Sequence, residues 1–151
     1  MPKVEHVASY LLSVSNPGTE WSITPLKLQK LLYYCQGWHM AFNKGEPLFT
    51  ENLEAWEHGP VNPDIYFKYK HHRYLTIPKE HFENKNSKGK PIIKQRQLDI
   101  INTVWDTYGQ FDGKYLEELT HQEEPWIVTP KNAVIDKRKL LQFFSQLAQK
   151  A

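Results

Sequence analysis

The chain has a single cysteine, Cys35, among its 151 residues, which excludes an internal disulfide and any Cys-rich zinc site. It has no apolar run near the ~18 residues of a membrane span. Its opening, M-P-K-V-E-H-V-A-S-Y-L-L, has no uninterrupted apolar core and no small-residue cleavage site, so no signal peptide is read there and a cytoplasmic location is expected. The phosphate loop G-x-x-x-x-G-K-S/T is missing, as are G-x-G-x-x-G, H-E-x-x-H, G-x-S-x-G and C-x-x-C, which removes the usual signatures of several enzyme classes at once. The net charge of +2 is too small to imply a polyanionic partner by itself.

The composition supports a packed core. A hydrophobic fraction of 40% and an aromatic fraction of 13% argue against wholesale disorder, and a chain of this length buries about two-thirds of its unfolded surface as one domain. We therefore expect a single domain over residues 1–151.

The organising stretch is Ile23 to Phe42. Thr24 is suited to cap a helix, Pro25 fits its first position, and Gly45 supplies a stop. At about 100° per residue, Leu28, Leu31, Leu32, Cys35, His39 and Phe42 share a face with Trp38 at its edge. The other side carries Leu26, Tyr33, Gly37, Met40 and Ala41, leaving only a narrow charged strip with Lys27 and Lys30. A helix apolar on two sides is central. Gly37 costs roughly 1 kcal/mol against Ala in a helix, which predicts close approach by another element near Gly37 and Ala41. His39 is expected as a buried neutral imidazole, and Cys35 as a small buried hydrophobe.

Around this spine the spacing predicts further helices. One carries Val4, Val7, Ala8 and Leu11; a short one starts at Asn62-Pro63-Asp64 and fades near His71; another carries Leu98, Ile101, Trp105 and Tyr108 and ends at Gly109. Asp112 starts the next, closed by Pro125-Trp126, and Asp136 caps a last one bearing Leu140, Phe143, Phe144 and Leu147. Leu53 to Trp56, broken by Gly59-Pro60, and Tyr74 to Ile77 read as two short strands that pair. Pro78 to Gln95 reads as a solvated loop, and Ile127 to Asn132 as a linker. The fold class is mainly α: about five helices around a central buried helix, with a small antiparallel β element.

Chemistry is sparsely marked. His58, His121 and Glu123 are the residue types that hold a metal with an open position, so a metal-dependent hydrolase is one alternative. No paired ligand spacing supports it, and neither a metal nor a cofactor is expected. A nucleic-acid-binding module is another alternative, resting on Lys85, Lys88, Lys90, Lys94 and Arg96. Glu80 and Glu83 dilute that charge and no aromatic interleaves it, so nucleic acid is a poor fit. Trp56 to Pro60 and Thr120 to Trp126 each combine an aromatic, a His and a proline-fixed turn. Such corners serve equally to pack a bend or to offer a rigid anchor to another protein.

The residues Ile23 to Tyr34, Gln36-Gly37-Trp38, Pro47-Leu48-Phe49, Glu54-Ala55-Trp56 and Gly59-Pro60-Val61 resemble the signature of the Panacea domain of SocA-like and phage-associated GepA-like proteins. The likeness is dense from Ile23 to Lys70, and Leu119-Thr120-His121 with Pro125-Trp126 echoes a later motif. Cys35 stands where Ala is more usual and Asn62 where an apolar residue is common. The resemblance implies an antitoxin of a bacterial or prophage toxin–antitoxin pair that binds a protein toxin directly, with SocA-like members instead delivering the toxin to a protease. A separate DNA-binding or protease-docking module is not expected from the residues beside the resemblance. Trp56, His58, Pro60, Tyr66, His121 and Trp126 are the expected partner-binding residues.

Overall fold

The computed structural model describes residues 1–150. Its elements run α1 (Val4–Val14), α2 (Pro25–Phe42), β1 (Glu54–Trp56), β2 (Gly59–Val61), α3 (Pro63–Tyr69), a single 3-10 turn (Lys70–His72), α4 (Gln95–Tyr108), α5 (Gly113–Thr120), α6 (Glu124–Ile127) and α7 (Lys137–Lys150).

The start of α2 is made as its residues predict: Pro25 takes the first turn and Thr24 Oγ1 accepts from the Lys27 amide at 3.3 Å. At the other end Gly45, at a φ of 85°, donates its amide to the Met40 carbonyl at 2.8 Å. Between these ends α2 is buried on nearly every side, and it packs on α7, α4, α5, β2, α1 and α3. The element crossing at Gly37 is α7. A Cβ there would stand 2.1 Å from the Phe144 ring, so only glycine admits the contact. Phe42 departs from the expected face: it lies at the end of the helix, beyond the core, and is exposed.

The charged strip is also buried. Lys27 and Lys30 are 2% and 0% exposed, because the stripe they occupy faces protein on a helix surrounded by other elements. Lys27 Nζ donates to the backbone carbonyls of Glu20 and Gly109 and lies 5.6 Å from the Trp105 ring centroid. Burial lowers its pKa to about 8 against the opposing pull of Asp112 and Glu20. His39 is fully buried, with Nδ1 2.8 Å from the Glu46 carbonyl and its pKa lowered by burial. Cys35 is buried and its thiol is pushed well up for the same reason.

The small sheet differs from the expected one. Its partner strands are β1 and β2, antiparallel, with Ala55 opposite Pro60. Tyr74 to Ile77 forms no strand; Arg73 turns the chain at a φ of 57°, and Tyr74 and Leu75 are exposed. Pro60 is tolerated because its partner Ala55 bonds through both backbone groups to the segment on its other side, so no donor is required of residue 60. The second edge of β1 is covered by the segment after α6: Ala55 donates to Ala133 O at 3.0 Å, Asn132 to Ala55 O at 2.7 Å and Ile135 to Leu53 O at 2.8 Å. Pro125 and Trp126 belong to α6, not to the end of α5, so α5 stops at Thr120 and the connection after it starts later than expected. The fold is mainly α, with seven α-helices among the described residues and one hairpin.

Asn62, buried at 2% exposure, is explained by its bonds. Its side chain accepts from the Ile65 amide at 3.0 Å, capping α3, and donates to Asn52 O at 2.9 Å. Its backbone is clasped by the Gln29 side chain, which accepts at 2.8 Å and donates at 3.1 Å. A buried polar residue so fully paired costs little.

Candidate functional site

The N-terminal half of α2, the β1–β2 hairpin, α3 with its 3-10 turn, α5 and the 131–132 segment enclose a groove of about 680 Å³. This is within the range of ~300–1,000 Å³ common to ligand pockets. Of the expected partner-binding residues, Trp56, His58 and Tyr66 line it. The Trp56 and Tyr66 rings meet edge to face with centroids 5.0 Å apart, and Trp56 Nε1 donates to Glu54 Oε1 at 2.9 Å, so both rings are held in place. Val61 and Ile65 continue the apolar lining.

Pro60, His121 and Trp126 are not lining residues. Pro60 is buried, and its carbonyl accepts from Lys30 Nζ at 3.0 Å. Trp126 is half-buried and reaches back to the hairpin, donating from Nε1 to Trp56 O at 2.8 Å. His121 stacks on Trp126 with centroids 4.1 Å apart, and its Nε2 is buried without a partner among the described residues. The second corner therefore braces the strand that carries Trp56. A separate shallow pocket of about 280 Å³ between Trp56, Trp126 and Ile127 marks where the two corners meet.

At the floor of the main groove Lys30 is wholly buried, with its stem beneath Gly59: a Cβ on that residue would stand 2.8 Å from Lys30 Cε. Burial lowers the Lys30 pKa to about 7, opposed by the Glu117 carboxylate. Glu117 also lies 3.1 Å from Nδ1 of the exposed His58. Behind the floor, the buried Glu123 carboxylate accepts from the hydroxyls of Tyr33 at 3.0 Å and Tyr34 at 3.1 Å. Burial drives its pKa up to about 7 although both hydrogen bonds pull it down.

These settings separate the three residues considered as metal ligands. His58 is engaged with Glu117, His121 with Trp126 and Glu123 with two tyrosines. No group of three or more His, Cys, Asp or Glu side chains is arranged to hold a metal ion among the described residues. No helix among them is long and apolar enough to cross a membrane.

One feature of the groove escaped the sequence reading. From Ile65 to Lys79 there is no acidic residue, while Lys68, Lys70, Arg73 and Lys79 supply positive charge among Tyr66, Phe67, Tyr69 and Tyr74. The signal was legible as an acid-free window with interleaved aromatics, but the helix-start pattern at Asn62 to Asp64 drew the reading towards structure. Lys70 and Arg73 from this window line the groove, and Lys131 joins them.

A mainly helical fold with a concave face of aromatic and basic side chains is the class of protein that these features define. Residues 28–127 match the family described as Antitoxin SocA-like, Panacea domain. The chain belongs to that family. It is 32% identical over 112 residues to the protein named Antitoxin SocA of Caulobacter vibrioides (strain NA1000 / CB15N), a match covering 70% of this chain and 59% of that protein. The matched region thus spans under two-thirds of the relative's length. No solved structure matches the chain at a significant level.

Proposed function

We propose that this protein is the antitoxin of a bacterial or prophage toxin–antitoxin pair, acting in the cytoplasm without catalysis or a cofactor. It neutralises a protein toxin by a direct, stoichiometric contact made at the groove. The observation that carries this reading is the coincidence of family membership over residues 28–127 with a groove lined by Trp56, His58 and Tyr66. Anchors of this kind concentrate binding energy where they are held rigid, and the pairing of Trp56 with Tyr66 supplies that rigidity. His121 and Trp126 contribute through the brace behind Trp56, and Pro60 through the hold on Lys30.

The test is co-expression with the product of the neighbouring gene. The neighbour alone should arrest growth, this protein should rescue it, and the two should co-purify in fixed proportion. Tyr66→Ala and His58→Ala should weaken the complex by about tenfold or more, about 1.4 kcal/mol, with the melting temperature little changed because both side chains are exposed. Toxin lifetime in the rescued cell separates two modes: a blocked toxin persists, whereas one delivered to a protease disappears. Absence of a toxic neighbour, or rescue without any complex, would overturn the proposal.

A further inference from the structure

The groove has a polarity as well as a shape. Lys70 and Arg73, at the end of α3 and in the turn after it, are exposed at its edge, as is Lys131 from the segment beside β1. Its carboxylates are Glu57 at the hairpin tip and Glu117 on α5, and Glu117 is already engaged by His58. Free cationic charge therefore exceeds free anionic charge at the rim, while Trp56, Val61, Ile65 and Tyr66 keep the interior apolar. The exposed rings of Phe67 and Tyr74 extend the aromatic surface beyond the groove.

We propose that the groove takes an acidic peptide segment of a protein partner, an apolar side chain packing against the Trp56–Tyr66 ring pair while flanking Asp or Glu carboxylates meet Lys70, Arg73 and Lys131. That the partner is a toxin rests on the antitoxin reading; the chemistry of the segment rests on the groove. Complementary charge of this kind chooses the partner and speeds encounter, while the buried aromatic contact supplies residence. A peptide fits better than a nucleic-acid strand. A phosphodiester chain carries a charge at every residue and must pass the Glu57 carboxylate, whereas a peptide can set a neutral residue there.

The test needs no toxin. Random short peptides displayed on phage are selected on the wild-type chain and on the Lys70→Glu/Lys131→Glu variant, with thermal melts to establish that both are folded; both lysines are exposed. Wild-type selection should enrich peptides in which Asp or Glu flanks an aromatic or aliphatic residue. The reversed variant should bind those peptides about tenfold more weakly or worse, and added salt should weaken wild-type binding. No enrichment, enrichment without acidic bias, or binding indifferent to the charge reversal overturns the proposal. So does binding of oligo(dT) with a steep salt slope in place of any peptide, which would assign the surface to single-stranded nucleic acid. Acidic peptides selected by a protein that rescues no cell would leave the groove chemistry standing and remove the antitoxin reading; rescue with no acidic preference would do the reverse.

Discussion

At the scale of single residues, the buried ionisable groups carry the largest departures from ordinary chemistry. Glu123 has its pKa raised from 4.5 to about 7 by burial, so between these values the folded state holds a proton that the unfolded state has released. Its contribution to stability is therefore full below pH 4.5 and lost as pH rises to about 7. The predicted comparison is with Glu123→Gln, which keeps an acceptor for the tyrosine hydroxyls but cannot ionise. Across that window the stability of the wild type should fall relative to the variant by on the order of 3 kcal/mol, read from urea midpoints at a series of pH values. Other groups that titrate nearby, His39 among them, are common to both proteins and drop out of the difference. Parallel pH profiles would show that Glu123 stays ionised in the fold. Lys30 has the opposite sign: its lowered pKa makes its contribution largest at high pH and lost as pH falls through about 7. Neither burial was legible in the sequence. A lysine on a helix reads as a solvated strip, and only the elements packed around α2 reveal that no side of it is free.

At the scale of elements, what could be read was what local chemistry decides. The cap at Thr24, the proline at Pro25 and the apolar pattern locate α2 to within a few residues, and Gly37 marked a close approach without naming Phe144 as the partner. What could not be read depended on pairing between distant segments. Gly59-Pro60 looked like a break because Gly and Pro usually end strands, yet Pro60 stands opposite Ala55, whose backbone groups bond to Ala133 and Asn132, so the pairing needs no donor from residue 60. Tyr74 to Ile77 has the composition of a strand and lacks a neighbour. The groove was half legible: its residues Trp56, His58 and Tyr66 were singled out, whereas the contribution of Lys70, Arg73 and Lys131 required the fold. The Gly37 contact yields a prediction at this scale. Gly37→Ala gains helix propensity of roughly 1 kcal/mol, but its methyl group meets the Phe144 ring where the Cβ separation is 2.1 Å. Overpacking should win, giving a net loss of about 1–3 kcal/mol in chemical denaturation. The double variant Gly37→Ala/Phe144→Leu should recover part of the alanine's cost relative to Phe144→Leu alone. Equal or higher stability of Gly37→Ala would mean that α7 shifts freely and does not fix the helix pair.

At the scale of the whole molecule, α2 is the element through which the others cohere. α7, α4 and α5 pack on it, as does β2, and Leu31, Leu32, Tyr33, Tyr34 and Cys35 in its middle have no measurable exposure. Local opening cannot expose these amides without separating several elements at once. By contrast, the chain from Pro78 to Lys94 has no regular helix or strand. It is tied to the body by Glu80, which accepts from the Ser9 and Tyr69 hydroxyls, by Phe82 against Tyr10, by the buried Ile93, and by Asn84, whose side chain accepts from the Ile93 amide at 2.8 Å and donates to the Ile93 carbonyl at 2.9 Å; Lys85 to Lys90 lie between these ties. Native-state hydrogen exchange should therefore divide the molecule into two tiers. Amides of Leu31 to Gln36 should exchange only through global unfolding, with an opening free energy equal to that from denaturant melts and reduced in parallel by Leu31→Ala, which should cost about 2–5 kcal/mol. Amides between Lys85 and Lys90, whose residues are exposed and whose hydrogen bonds close only a local turn, should exchange far faster, with no response to that substitution. Were the middle of α2 to exchange well below the global free energy, another helix would hold the domain together and α2 would be a passenger in its own core.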